Sequence, residues 1–293
     1  MHRSGFVNII GNPNVGKSTL MNALVGEKLS IITTKAQTTR HRIMGIVSGE
    51  DFQIVYSDTP GILKPSYKLQ ESMMKFVTGA LTDADVILYV TDTVEQSERS
   101  AEIVDSIRRS GIPTVVVINK IDLSTPEALE ALVDKWQAEI PGAQVVPTSA
   151  KENFNIEGLF RTIFSLLPEG PAFYPKDTLT DKTLRFFASE IIREKILKFY
   201  DKEIPYCCEI EIESYKEEPT IDRIAATIYV ARDSQKGILI GHKGEKLKRV
   251  GQTAREDMEQ FLGKKVFLQL FVKVSDDWRN NERQLRRFGY EQE

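Results

Sequence analysis

Gly11-Asn12-Pro13-Asn14-Val15-Gly16-Lys17-Ser18 is a glycine-bounded run ending in a lysine and a hydroxyl. It follows the β-branched stretch Phe6–Ile10 and precedes the amphipathic segment Thr19–Val25, the strand-to-helix context that a phosphate-binding loop requires. Glycines let successive backbone N–H groups and a helix N-terminus face phosphate oxygens. Lys17 can then reach β- and γ-phosphates and Ser18 can ligate Mg2+. Asp58-Thr59-Pro60-Gly61 stands just past the strand Ile54–Tyr56. A carboxylate there is level with the loop and suits a magnesium site, and Gly61 offers a backbone N–H to a γ-phosphate. Catalytic contributions are therefore expected from Lys17 and Gly61, with a threonine of the loop described below.

Two further segments point to the base. Asn119-Lys120-Ile121-Asp122 ends the apolar run Val115–Ile118, and Ser149-Ala150-Lys151 ends the next strand. A carboxylate at Asp122 accepts from the N1–H and N2–H2 of guanine, whereas adenine offers an acceptor at N1 and no 2-amino group. A buried Asp122 facing adenine would go unpaired, and mismatches at such sites cost 10⁴–10⁵ in discrimination, roughly. The segment 149–151 supplies a backbone N–H for the guanine carbonyl. The chemistry expected is binding of GTP or GDP with Mg2+, and hydrolysis of GTP.

Between these parts lies Ile31-Ile32-Thr33-Thr34-Lys35-Ala36-Gln37-Thr38-Thr39-Arg40-His41, polar and placed to cover the phosphates. Such a loop orders when a threonine hydroxyl joins Mg2+ beside the γ-phosphate. Thr38 and Thr39 both qualify on sequence. His41 reads as a packing or surface histidine. Ile62 occupies the place where Ras-type GTPases carry a glutamine that orients water. Unaided hydrolysis is therefore expected to be slow. Asn14 is either a turn-forming residue or a ligand for K+.

These residues need a frame. A chain of 293 residues with 41% hydrophobic and 28% charged residues suggests two soluble globular domains. No apolar run is long enough to span a bilayer, and the first residues lack a signal-peptide core, so a cytoplasmic location is expected. The net charge of −3 argues against nucleic-acid binding by the whole surface, while screening leaves room for a local basic patch. Adjacent Cys207 and Cys208, with three dispersed histidines, support neither a disulfide framework nor a zinc site and read as buried thiols.

From Gly5 to Leu167, strands (Phe6–Ile10, Ile54–Tyr56, Val86–Val90, Thr114–Ile118, Gln144–Pro147) alternate with helices (Leu69–Leu81, Ser97–Arg109, Pro126–Glu139). That order implies a mostly parallel sheet flanked by helices, with one antiparallel hairpin at Ile43–Val47. The segment 168–177 holds three prolines and a glycine and marks a boundary. The expected division is a nucleotide domain over 1–168, a linker over 169–179 and a second domain over 180–293.

The second domain reads helix (182–200), strand (205–213), strand (222–231), short helix, Gly241-His242-Lys243-Gly244, helix (245–262), strand (265–274), basic tail. Between Lys236 and Arg249 stand five positive side chains and one negative. A Gly-x-x-Gly turn entering a helix permits close approach of a phosphate backbone, and in this order of elements it matches the type II KH fold, which clamps about four single-stranded nucleotides. Ile240, Gly241, His242, Lys243, Gly244, Lys246, Lys248 and Arg249 are the candidate RNA contacts. Phe187, Ile191, Ile192, Ile196 and Phe199 lie on one side of the first helix as core. The alternating strand Glu209–Glu213 reads as a solvated acidic face. The tail Arg279–Tyr290 is either an added RNA surface or a docked terminal helix.

With Gly11–Ser18, Gln37–His41, Asp58–Gly61, Asn119–Asp122, Ser149–Lys151 and Gly241–Gly244 all in place, the chain resembles the Era family of bacterial GTPases across nearly its whole length. The resemblance implies assembly of the small (30S) ribosomal subunit, binding near the 3′ end of its rRNA, a monomer, and peripheral association with the cytoplasmic face of the inner membrane. It also implies Thr39 as the magnesium threonine. The sequence offers no amphipathic anchor for the membrane. Two other readings compete: a GTPase serving RNA modification, which would need a further catalytic site, and a constitutive RNA-binding module whose nucleotide is structural.

Overall fold

Buried β-branched runs set the frame of the first unit. In the computed structural model, which describes residues 2–94 and 101–290, six strands form one sheet in the order β2-β3-β1-β4-β5-β6. They are β1 (Arg3–Gly11), β2 (Ile43–Ser48), β3 (Phe52–Asp58), β4 (Val86–Asp92), β5 (Thr114–Asn119) and β6 (Gln144–Pro147). Only the β2–β3 pair is antiparallel. Strands β4 and β5 are buried along their whole length, as expected for a parallel sheet covered on both faces. The covering helices are α1 (Lys17–Val25), α2 (Lys68–Thr82), α3 (Ala101–Ser110), α4 (Pro126–Glu139) and α5 (Ile156–Leu166). Of the expected helix Ser97–Arg109, residues 97–100 lie outside the described residues.

The parallel register brings the C-terminal ends of β1, β3, β4 and β5 to one rim of the sheet, where Gly11, Asp58, Asp92 and Asn119 stand. The crevice outside those strand ends is where open α/β sheets bind ligands.

The first unit runs to Asp181, so the expected linker 169–179 packs on it throughout. Phe173 packs on Phe6, Gln53 bonds the Phe173 and Tyr174 backbone, and Lys176 donates to the carbonyls of Gly49 and Glu50. Beside β2, Ile46 N–H donates to Leu179 O (2.8 Å), Thr180 Oγ1 donates to Met44 O (2.6 Å), and Met44 N–H donates to Asp181 (3.0 Å). The prolines deny this strap regular structure without freeing it from the surface.

The second unit runs from Lys182 through α6 (Leu184–Phe199), α7 (Ile204–Cys207), β7 (Glu209–Glu217), β8 (Ile221–Val230), α8 (Asp233–Ile240), α9 (Glu245–Leu262), β9 (Lys265–Val274) and α10 (Glu282–Arg287). Its sheet has the order β7-β8-β9, with β8 and β9 parallel. Ile192, Ile196, Ile224, Ile228, Val250, Ala254 and Met258 form the core between sheet and helices. Residues 204–207 are one helical turn where a strand was expected. Pro205 in the first turn lacks only an N–H that the turn leaves unpaired anyway. Cys207 and Cys208 are buried, and both thiols face Ile204 O.

The acidic strand grades from buried at Glu209 to exposed at Glu213, so only its far part is the solvated face expected. Glu209 is buried and accepts Tyr290 Oη (2.6 Å), Glu211 holds Arg287, and Glu213 holds Lys273 and Thr227. Trp278, Leu285 and Tyr290 are buried, and Trp278 Nε1 donates to Cys207 O (3.0 Å). The tail is thus a docked terminal element; Glu209 and Glu211 dock it, while Glu213 bonds within the sheet.

Candidate nucleotide and RNA sites

The rim of the large sheet opens into a cleft of about 600 Å³, a volume suited to a nucleotide. Pro13, Asn14, Gly16, Lys17, Ser18 and Thr19 line it from the phosphate loop; Asn119, Lys120, Asp122, Ser149 and Lys151 line the other end. Gly11, Asn12, Val15 and Ala150 are buried and do not line it. Lys17 is buried, and its ammonium donates to Gly11 O (3.0 Å) and Asn12 O (2.8 Å), so it lies along the loop that phosphates would enter.

Ser18, Thr39 and Asp58 meet. Ser18 Oγ lies 2.7 Å from Asp58 Oδ2 and 2.9 Å from Thr39 Oγ1. Asp58 is fully buried at the end of β3, and its Oδ1 has no hydrogen-bond partner among the described residues. Burial raises its pKa, opposed by the nearby Lys17 charge and by hydroxyl hydrogen bonds. Two hydroxyls and a carboxylate with an unused buried oxygen form an all-oxygen set, which fits Mg2+ chemistry. The loop also separates the two threonines. Thr38 Oγ1 donates to Lys35 O and meets Thr33 Oγ1, each at 2.6 Å, and thereby closes the loop on itself.

Thr59 and Pro60 do not line the cleft. Thr59 donates to Ile9 O (2.7 Å) and is buried, so the pair only carries the chain from Asp58 to Gly61. At Gly61 a Cβ would stand 2.8 Å from Pro13 Cα, so the backbone can pass the phosphate loop this closely only as glycine. Ile62 is 3% exposed and belongs to the core with Ile10, Val77 and Tyr89. Asn14 takes a left-handed φ of 66°, a conformation that asparagine adopts more readily than most residues. His41 packs beside Phe76, with 6.2 Å between ring centroids.

At the base end, Asn119 ties two loops together: its Nδ2 donates to Val15 O (2.8 Å) and its Oδ1 accepts the Ala150 N–H (3.0 Å). Asp122 is exposed rather than buried, and Ser149 Oγ donates to its Oδ1 (2.6 Å). Covering of that carboxylate thus falls to the bound base. Leu123, not singled out from sequence, also lines the cleft, as do Ile31 and Ile32 at the start of the covering loop. Leu123 is 66% exposed and Ile32 is 47% exposed, an apolar signal legible only once their surface position is known.

In the second unit, Gly241 adopts φ 74° and ψ −179°, a region open essentially to glycine. A one-turn 3-10 segment, His242–Gly244, then leads into α9. His242, Lys243, Lys246, Lys248 and Arg249 are exposed, while Ile240 is half-buried. The stem of Lys246 covers Gly241, and the Arg249 guanidinium sits 4.4 Å from the centroid of the Phe199 ring. Ile238, outside the expected contacts, is 43% exposed on α8 beside this loop. The loop therefore joins positive charge, a helix N-terminus and apolar surface, the parts a single-stranded nucleic acid needs.

A family model described as a 50S ribosome-binding GTPase matches residues 6–120, and a KH domain model matches residues 203–279. GTPase Era of Staphylococcus haemolyticus is 45% identical over 291 residues, covering 99% of this chain and 97% of the relative. GTPase Era of Alkaliphilus metalliredigens is 45% identical over 293 residues, covering 99% of each. The crystal structure of Era in complex with MgGDPNP and nucleotides 1506–1542 of 16S ribosomal RNA matches with a TM-score of 0.95 at 40% identity, over 100% of both chains. A variant of Aquifex aeolicus Era bound to GDP and AlF4− matches with the same TM-score, 0.95, at 40% identity over 99% of this chain and 100% of that one. With relatives this similar along the whole chain, and both units matched, the chain belongs to the Era family of GTPases.

Proposed function

We propose that this chain is a GTP-binding, GTP-hydrolysing switch that binds small-subunit rRNA near its 3′ end and acts in assembly of the small ribosomal subunit. The meeting of Ser18, Thr39 and Asp58 carries the reading, because it joins the loop over the cleft to the phosphate loop and to β3 through groups suited to Mg2+. Magnesium, when bound, neutralises charge on the phosphate oxygens. Lys17 balances phosphate charge, the Gly61 backbone approaches the γ-phosphate, Asn119 fixes the loops, and Asp122 reads guanine. Thr39 is the group whose position depends on the third phosphate. With Ile62 in the core, no side chain at that position orients water, and intrinsic turnover is slow. Gly241–Gly244, with Lys243, Lys246, Lys248 and Arg249, clamps the RNA backbone.

The test is the affinity of the full chain for an RNA carrying the 3′ end of small-subunit rRNA, measured with a GTP analogue, with GDP and without nucleotide. A difference between the nucleotide states supports the switch. Equal affinities in all three favour a constitutive RNA-binding module, because a ligand shifts only an equilibrium whose states it binds differently. A monomeric state, a cytoplasmic location and peripheral inner-membrane association rest on the family resemblance. No described helix is long and apolar enough to cross a membrane. Sedimentation of the chain and its co-flotation with anionic vesicles test the first and last of these.

A further inference from the structure

Lys120 is held at both ends by residues at and just past the end of β4. It follows β5 in a left-handed conformation, φ 60° and ψ 36°, which a lysine does not adopt without support. Its ammonium lies 2.5 Å from Asp92 Oδ2 and 2.6 Å from Asn14 O. Its carbonyl accepts Thr93 Oγ1 (3.0 Å) and also the Leu123 N–H (3.0 Å), the bond that closes the turn carrying Asp122. Asp92 is itself fixed: its side chain is 5% exposed, and its Oδ1 accepts the Val94 N–H (3.0 Å). The register of β4 on β5 sets Asp92 against Asn119, one residue before the lysine it clasps.

We propose that Asp92 and Thr93 are positioning residues for base recognition: they clasp Lys120 from both ends and so set where Asp122 meets the base. Neither lines the cleft. Asp92 holds the lysine stem along the cleft wall, and Thr93 fixes the acceptor from which the 121–123 turn starts. Loss of either lets the turn shift, and the first contact to suffer is the one at the purine 2-amino group, at the far edge of the base. The inference rests on the reading of Asp122 as the guanine-recognising carboxylate.

The experiment compares the affinities of GTP and ITP, which lacks the 2-amino group, for the full-length wild type and for Asp92→Ala, Thr93→Val and Thr93→Ser. Expected is a clear wild-type preference for GTP that narrows by about tenfold in Asp92→Ala and Thr93→Val, with kcat at saturating GTP little changed. Thr93→Ser, which keeps the hydroxyl, retains the wild-type ratio. An unchanged ratio with a lowered Tm overturns the proposal in favour of simple stabilisation. Equal losses for GTP and ITP also overturn it, since the pair would then act on the phosphate loop through Asn14. If Asp92→Ala does not fold, the near-isosteric Thr93→Val decides against Thr93→Ser. A wild type without preference for GTP over ITP overturns the Asp122 reading and this inference together.

Discussion

Thr39 Oγ1 lies 2.9 Å from Ser18 Oγ, and both hydroxyls reach the same oxygen of Asp58, at 3.4 and 2.7 Å. The neighbouring Thr38 hydroxyl is spent inside the loop. Two adjacent threonines that sequence could hardly separate thus have different partners, one the Ser18–Asp58 pair and the other the loop itself.

Thr39→Ala is expected to weaken binding of a GTP analogue by about tenfold or more while leaving GDP affinity nearly unchanged, the scale of a lost interaction to a charged group. Thr38→Val should cost about threefold or less. Titration of a fluorescent nucleotide at several Mg2+ concentrations separates the two, and equal effects of both variants would remove Thr39 from its assigned place.

Restoring the Ras-type glutamine is not expected to restore fast hydrolysis. Ile62 is 3% exposed among apolar side chains, so Ile62→Gln buries an amide there at a cost of about 1–3 kcal/mol. Tm should fall by several degrees with no gain in kcat. A large rise in single-turnover rate would show that the side chain at this position can reach the phosphates after all.

Lys243 and Lys248 are exposed beside the Gly241–Gly244 turn. Lys243→Gln combined with Lys248→Gln should weaken RNA binding and lower the slope of log affinity against log salt by about 1.4, the value for two lost single-strand phosphate contacts. GTP affinity should not change. An unaltered salt slope would place the RNA elsewhere.

Asp222 gives the second unit a pH dependence. It is 3% exposed, and burial pushes its carboxyl up; the Lys264 ammonium (2.5 Å) and the Tyr215 hydroxyl (3.0 Å) outweigh that and hold it below the ordinary 3.8. A depressed carboxylate stabilises the fold above its unfolded pKa, and the contribution disappears as pH falls through the folded value. Asp222→Asn should therefore lower Tm at pH 7, with the deficit shrinking below about pH 3.8. A deficit constant from neutral pH down to about pH 2.5 would mean that packing, not charge, makes the difference.

Much of the nucleotide unit was legible in the sequence because parallel strands announce themselves as short apolar runs. The bounds of β6, α4, α9 and β9 match the expected ones, since turn residues or glycines flank each. Alternation along Glu209–Glu213 gave the right strand but missed what covers Glu209 and Glu211, while Glu213 is exposed as expected. Periodicity reports which side chains share a face, not what a distant tail such as Arg287 and Tyr290 lays upon it. The same limit hid Asp92 and Thr93, whose part depends on a neighbour across the sheet and 27 or more residues along the chain.

The strap over β2 has a consequence for where the chain can be cut. β2 ends the six-stranded sheet, so one side of it has no further strand to receive its N–H and C=O groups. Leu179, Thr180 and Asp181 satisfy the backbone of Met44 and Ile46 there. An isolated GTPase fragment ending at Pro168 would leave that edge open to strand pairing between copies, a route to aggregation, whereas one ending at Asp181 keeps its edge sealed.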